Sequence, residues 1–214
     1  MILGNRITLF AAAALLAVAT RCTNPPAPPL QTGSETTSGV EIGVAGMTIQ
    51  GKTAPAATVI VAPAHSKPGG AQAAKDTATA DDSGAFAFTN LAPGPYNIFV
   101  FGPEAKGAAI FGVPVGADGP NGPFEDSAAF AALLTITGTV MHAGSPDSLS
   151  QVYIQGSPFF TATDGRGKFS FVDIPEGVYT VIAVSSQRRS PPDSVTVDCR
   201  GKKGQAVTVE LNGQ

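Results

Sequence analysis

Residues 160–183 read FTATDGRGKFSFVDIPEGVYTVIA, and residues 77–100 read TATADDSGAFAFTNLAPGPYNIFV. The two align without a gap. Phe86 falls on Phe169, Phe88 on Phe171, Gly94 on Gly177 and Tyr96 on Tyr179, 83 residues apart. Solenoid repeats recur every roughly 20–50 residues, so a copy at this spacing means two similar domains in tandem.

Each copy reads as strand, turn, strand. In the second, Asp164-Gly165-Arg166-Gly167 is a turn cluster: Asp bonds its own backbone and Gly supplies positive φ. Lys168–Val172 then alternates, with Phe169 and Phe171 on one face, the period of a half-buried strand. Asp173–Gly177 is the next turn, and Val178–Val184 is a strand rich in β-branched residues. Thr135–Val140, Gln151–Gln155, Ser194–Val197 and Ala206–Leu211 complete the set. Six or seven short strands in about 80 residues, with no helical period, predict an antiparallel β-sandwich.

The first copy follows the same plan. Gly46–Gly51 matches the opening strand and Thr58–Ala62 the Val152 strand. Ile60 and Tyr96 are 36 residues apart, whereas Tyr153 and Tyr179 are 26 apart. The surplus falls in His65–Asp76, HSKPGGAQAAKD, a polar stretch expected as an exposed loop. Gly112–Gly116 reads as a short edge strand, because Pro114 has no amide to donate. Asp126–Leu134 reads as the last strand and runs directly into Thr135, which predicts two domains stacked end to end with limited freedom.

The pattern T-x-T-D-x-x-G-x-F-x-F-x-x-[IL]-x-x-G-x-Y resembles the carboxypeptidase regulatory-like domain. The second copy matches at Thr161, Thr163, Asp164, Gly167, Phe169, Phe171, Ile174, Gly177 and Tyr179. The first matches at Asp81, Gly84, Phe86, Phe88, Leu91, Gly94 and Tyr96, with Ala78 and Ala80 in place of the threonines. The resemblance spans residues 40–214 and implies a transthyretin-like sandwich, close to the B-type repeats of Gram-positive collagen-binding adhesins. It implies structural roles for these residues, glycines at turns and aromatics in the core, and it is nearly silent on function. The expected fold is therefore all-β: two tandem antiparallel transthyretin-like β-sandwich domains after a signal segment and a Pro-rich linker. The expected boundaries are 1–22, 23–38, 39–134 and 135–214.

Residues 1–22 carry Arg6 and then an apolar run, Ile7–Ala19, too short to span a bilayer and right for a signal peptide. Two exits compete. Ala17-Val18-Ala19 fits cleavage after Ala19, and Cys22 resembles the lipidated cysteine of a bacterial lipoprotein, although Arg21 stands where small residues are usual. Lipidation at Cys22 is the adopted reading, with the membrane as partner through that anchor. Residues 23–38, TNPPAPPLQTGSETTS, are a spacer that packs no core.

Chemistry is sparse. His65 and His142 sit in no H-E-x-x-H pattern, and no G-x-S-x-G or Walker loop is present. We therefore expect no catalytic residues, no metal and no cofactor. Asp81–Gly84 and Asp164–Gly167 read as β-turns rather than calcium loops, since calcium requires several carboxylates. An adhesin-type Lys–Asn isopeptide bond lacks its residues: Thr135–Val140 has no Lys, and Asp126–Leu134 has no Asn. A net charge of −3 argues against nucleic-acid binding. Cys199 is read as a lone thiol, with a Cys22–Cys199 disulfide open only if cleavage follows Ala19. The chain has no Trp, so Phe159-Phe160 is the best candidate for a ligand-contacting surface.

The sequence is thus read as a non-enzymatic, exported, lipid-anchored cell-envelope protein acting as structural spacer or binding module. Two alternatives stand beside this. One is a peptide- or carbohydrate-binding surface protein using loops 65–76 and 157–160, with an envelope protein or glycan as partner. The other is an accessory subunit of a peptidase.

Overall fold

In a computed structural model the described residues are 38–68, 76–116, 124–185, 191–202 and 206–213. Among them the regular structure is entirely β. The first half contributes β1 (Gly39–Ala45), β2 (Thr48–Thr53), β3 (Thr58–Pro63), β4 (Asp76–Thr79), β5 (Ala85–Phe88), β6 (Gly94–Phe101), β7 (Lys106–Val115), β8 (Phe124–Ala129) and β9 (Ala131–Ala132). The second contributes β10 (Leu134–His142), β11 (Ser145–Pro146), β12 (Gln151–Ile154), β13 (Phe160–Ala162), β14 (Lys168–Ile174), β15 (Val178–Val184), β16 (Asp193–Asp198) and β17 (Ala206–Gly213).

Four sheets result. The order β5-β2-β1-β8 faces β4-β3-β6-β7-β9 across a core of Val40, Ile42, Ile49, Val59, Ile98 and Val113. A second core of Ile136, Val152, Ile154, Ile174 and Val181 lies between β14-β10-β17 and β13-β12-β15-β16. Alternation selects the faces: β14 buries Phe169 and Phe171 and exposes Ser170 and Val172, as a pleated strand must. The two copies agree in detail. Phe86 lies opposite Gly51 and Phe169 opposite Gly138, so each opening strand leaves room for the first aromatic. Tyr96 and Tyr179 each donate a hydroxyl to the carbonyl four residues back, Ala92 at 3.0 Å and Pro175 at 2.7 Å.

Several expectations are corrected. β1 was not anticipated; it inserts between β2 and β8, antiparallel to both. Among the described residues the second copy has no counterpart, and β17 pairs directly with β10, in parallel. The edge strand expected at 112–116 is the end of β7, which starts at Lys106; among the described residues β9 covers only Lys106 and Gly107, and Pro114 has no ladder partner on that side. The single strand expected over 126–134 breaks at Phe130. There the chain leaves β1's sheet for β7's, and the Phe130 amide bonds the Ser38 carbonyl. Leu134 already belongs to β10 and to the second core.

Candidate functional site

The two cores meet on β6. Its odd and even faces are both buried: Ile98 and Val100 enter the first core, while Phe99 points outward into the second. The second sandwich seats one end, the turns at 155–159 and 175–177, on this outer sheet face. The stacking is end to face, rather than the end to end expected from the short connection.

Phe159 is part of that contact. It is half-buried, with edge-to-face rings to Phe99 at 5.7 Å and Phe101 at 6.3 Å. Phe160, by contrast, is 70% exposed. It lies directly across from Tyr153, which lies across from Ile182. These three side chains share the outer face of the β13-β12-β15-β16 sheet. The Lys67 ammonium stands 5.5 Å from the Tyr153 ring centre, in cation–π range. The Gly156 amide bonds the Ser66 carbonyl at 2.9 Å. Thus the described part of the 65–76 loop and the 155–160 turn, far apart in the chain, adjoin. Ser66 is buried and Asp76 starts β4, so these two positions are not exposed loop; 69–75 lies outside the described residues.

A cavity of about 410 Å³ also borders this loop, lined among others by Pro63, His65, Asp76, Asn90, Pro93 and Tyr96. Burial raises the Tyr96 phenol above its usual value, and the nearby Asp76 charge adds to this. Among the described residues no group of His, Cys, Asp and Glu is placed to hold a metal ion. The turn aspartates are already engaged. Asp81 accepts the amides of Ser83 and Ala85, and Asp164 those of Arg166 and Lys168, at 2.8–2.9 Å. Gly84 and Gly167 close these turns at φ of 77° and 71°. His142 ends β10, paired with Ser145, and His65 is exposed.

Cys199 is fully buried in the second core, its amide bonded to Gly177. Burial pushes its thiol up to about 11, with the Asp198 charge acting the same way. Cys22, the expected lipidation site, lies outside the described residues, as does all of 1–37. The joint itself was missed in the sequence. Its signal lay in the mismatches between copies: Phe99 and Phe101 align with Ile182 and Val184.

No family model and no curated protein matches the chain. Among solved structures it is similar to GBS52, the minor pilin of Streptococcus agalactiae, at 14% identity over 76% of this chain and 84% of that one, TM-score 0.38. It is similar to BcpA, the major pilin subunit of Bacillus cereus, at 14% identity over 84% and 61%, TM-score 0.28. A mutant of the shaft pilin spaA from Lactobacillus rhamnosus GG aligns at 11% identity over 85% and 87%, TM-score 0.30. Likeness this distant carries no argument about activity, partners or assembly.

Proposed function

We propose that this chain is a non-enzymatic, exported cell-envelope protein, lipid-anchored at Cys22, whose two sandwiches serve as a structural spacer or binding module. One observation carries the reading. The motif residues present in both copies are taken up by structure: aromatics in the cores, Asp and Gly in tight turns, Tyr hydroxyls on backbone carbonyls. A repeat used in this way supplies scaffold, and any recognition falls to residues that differ between copies. The export segment and the Pro-rich 23–38 tether belong to the same reading. Mass spectrometry of the mature N-terminus tests it. A diacylglyceryl group on Cys22 is expected, and a chain starting at Thr20 with free Cys22 refutes the anchor.

A second reading is a peptide- or glycan-binding surface formed by the 65–68 and 157–160 segments. It is favoured by the adjacency of Lys67, Tyr153 and Phe160 and by the exposure of Phe160. Retention on immobilised envelope fractions tests it. Phe160→Ser is expected to abolish retention while leaving the melt unchanged, and undiminished retention refutes it.

A further inference from the structure

We infer that Asn97 and Gly156 form a latch that holds the two sandwiches at one fixed angle, so that the sandwiches move as a single rigid body rather than as two linked beads.

The latch begins with a bulge. β6 and β7 pair Tyr96 with Val113 but Ile98 with Ile110, so Asn97 alone opposes Phe111 and Gly112. A bulge leaves backbone groups out of the ladder. Gly112, at φ 70°, directs its amide to the Asn97 Oδ1 at 3.0 Å. The other end of the same side chain reaches the second sandwich, where Nδ2 donates to the Gly156 carbonyl at 2.9 Å. The Gly156 amide is in turn held by Ser66. Both backbone groups of one residue in the second sandwich are therefore fixed by the first. Asn97 is only 6% exposed, so water does not compete well for these bonds.

Glycine is required here. Gly156 sits at φ 64°, and a β-carbon would run into the Ala64 carbonyl and come within 2.6 Å of Asn97 Nδ2. Two further contacts stand apart from the latch. Across the middle, Phe99 and Phe111 meet Phe159 and Tyr179, with Phe111 and Tyr179 rings 5.5 Å apart. A β-carbon on Gly177 would come 2.7 Å from the Phe111 ring, so the surfaces touch without a gap. At the far side the chain crosses with almost no slack. Ala132 pairs with Lys106, the Leu133 amide bonds Ala105, and Leu134 pairs with Ile174. Two bodies held at three separate places cannot hinge about any one of them.

The two copies differ at this position. The position of Asn97 is Thr180 in the second copy, on a strand pair with regular register. The outer face of the second sandwich therefore lacks the latch.

Residual dipolar couplings on the full chain decide the matter. Amides of strands β1–β8 and β10–β16 in the native chain are expected to fit one alignment tensor. Two distinct tensors overturn the inference whatever any variant does. For the Asn97→Thr/Gly156→Ala double variant we expect two tensors of different magnitude, with amide shifts at Ile49 and Val197, in the two separate cores, unchanged. A folded double variant that keeps the native single tensor removes the latch role. If that variant does not fold, Asn97→Thr alone is the second probe. Thr stands at the matching position, 180, of the second copy, and an unaltered tensor there likewise refutes the role of Asn97.

Discussion

Removing one oxygen from each repeated tyrosine separates a buried corner from a wet one. Tyr179 is 2% exposed, and its hydroxyl bonds Pro175 at 2.7 Å in a buried setting. Tyr96 is 7% exposed, with a longer 3.0 Å bond to Ala92, an exposed residue that water can reach. Tyr179→Phe leaves the Pro175 carbonyl without its donor inside the protein, which costs about 1–3 kcal/mol. Tyr96→Phe exchanges a protein donor for water and costs about 0.5–1 kcal/mol. Urea unfolding followed by far-UV circular dichroism measures both, and an unchanged m-value confirms that the losses are in stability. The ionisation of the two phenols gives a second measure. Burial, with the nearby Cys199 acting the same way, raises the Tyr179 phenol above its usual value of 10.0. The folded state therefore favours the neutral phenol. Its contribution is complete below the unfolded value and is lost as pH rises toward the folded one. Tyrosinate absorbance from Tyr179 is thus expected to appear together with alkaline unfolding rather than before it. Equal losses in the two variants, or a larger loss for Tyr96→Phe, would refute the assignment of Tyr179 as the buried corner.

The remaining predictions probe the second sandwich. Phe171→Ala, at a 4% exposed side chain whose ring is 5.7 Å from Phe169, is expected to cost about 3–5 kcal/mol, and a native melting curve refutes its place in the core. In a Cys22→Ser chain, Cys199, fully buried with its thiol raised to about 11, is expected to ignore an aromatic disulfide reagent at pH 8 and to react fully in urea; reaction in the folded state shows it accessible. Asp164 is held below its ordinary value by the Lys168 and Arg166 amides, so its contribution is present above about 3.8 and is lost as pH falls through the lower folded value. Asp164→Asn keeps an acceptor but does not titrate, and its acid unfolding limb is expected to be flatter than the parent's; identical limbs refute the linkage. Residues 134–214 hold both sheets that enclose the second core and are expected to melt cooperatively alone, at a lower midpoint than the full chain, because the core loses Phe99 and Phe159 loses its cover; a disordered amide spectrum refutes the boundary.

Much of the fold was legible because the repeat and the pleat reinforce one another. Phe86, Phe88, Phe169 and Phe171 alternate with exposed residues, and all four are buried as that alternation requires. What escaped lies outside the repeat. β1 has Val40, Ile42 and Val44 on one face, a clear period of two, but no counterpart in the second copy to draw attention to it. The parallel β10–β17 pair follows from that same missing strand, and alternation does not encode pairing direction. The break at Phe130 is a change of sheet within a continuously apolar stretch, where composition gives no cue.

The candidate site was legible only in halves, and the reason is physical. A short apolar tip such as Phe159-Phe160 has neighbouring residues on opposite strand faces, so one ring turning inward forces the other outward. Which of them is covered depends on what packs there, and that is decided on β6, some 60 residues away. Shared residues identify what each sandwich needs for itself: Gly opposite Phe, the tyrosine hydroxyl, the Asp-Gly turn. Changes of side-chain type between the copies, rather than aliphatic swaps such as Ile98 for Val181, identify what one sandwich needs from the other. Asn97 against Thr180, Phe99 against Ile182 and Phe101 against Val184 all occupy the outer face of one strand, and Asn is otherwise disfavoured in a strand centre. Ile98 and Val100, between them, also differ from Val181 and Ala183 but stay aliphatic, so it is the changes of side-chain type that have the period of a sheet face. In a tandem repeat such a row marks the face where the copies meet, and here it coincides with the aromatic seat of Phe159.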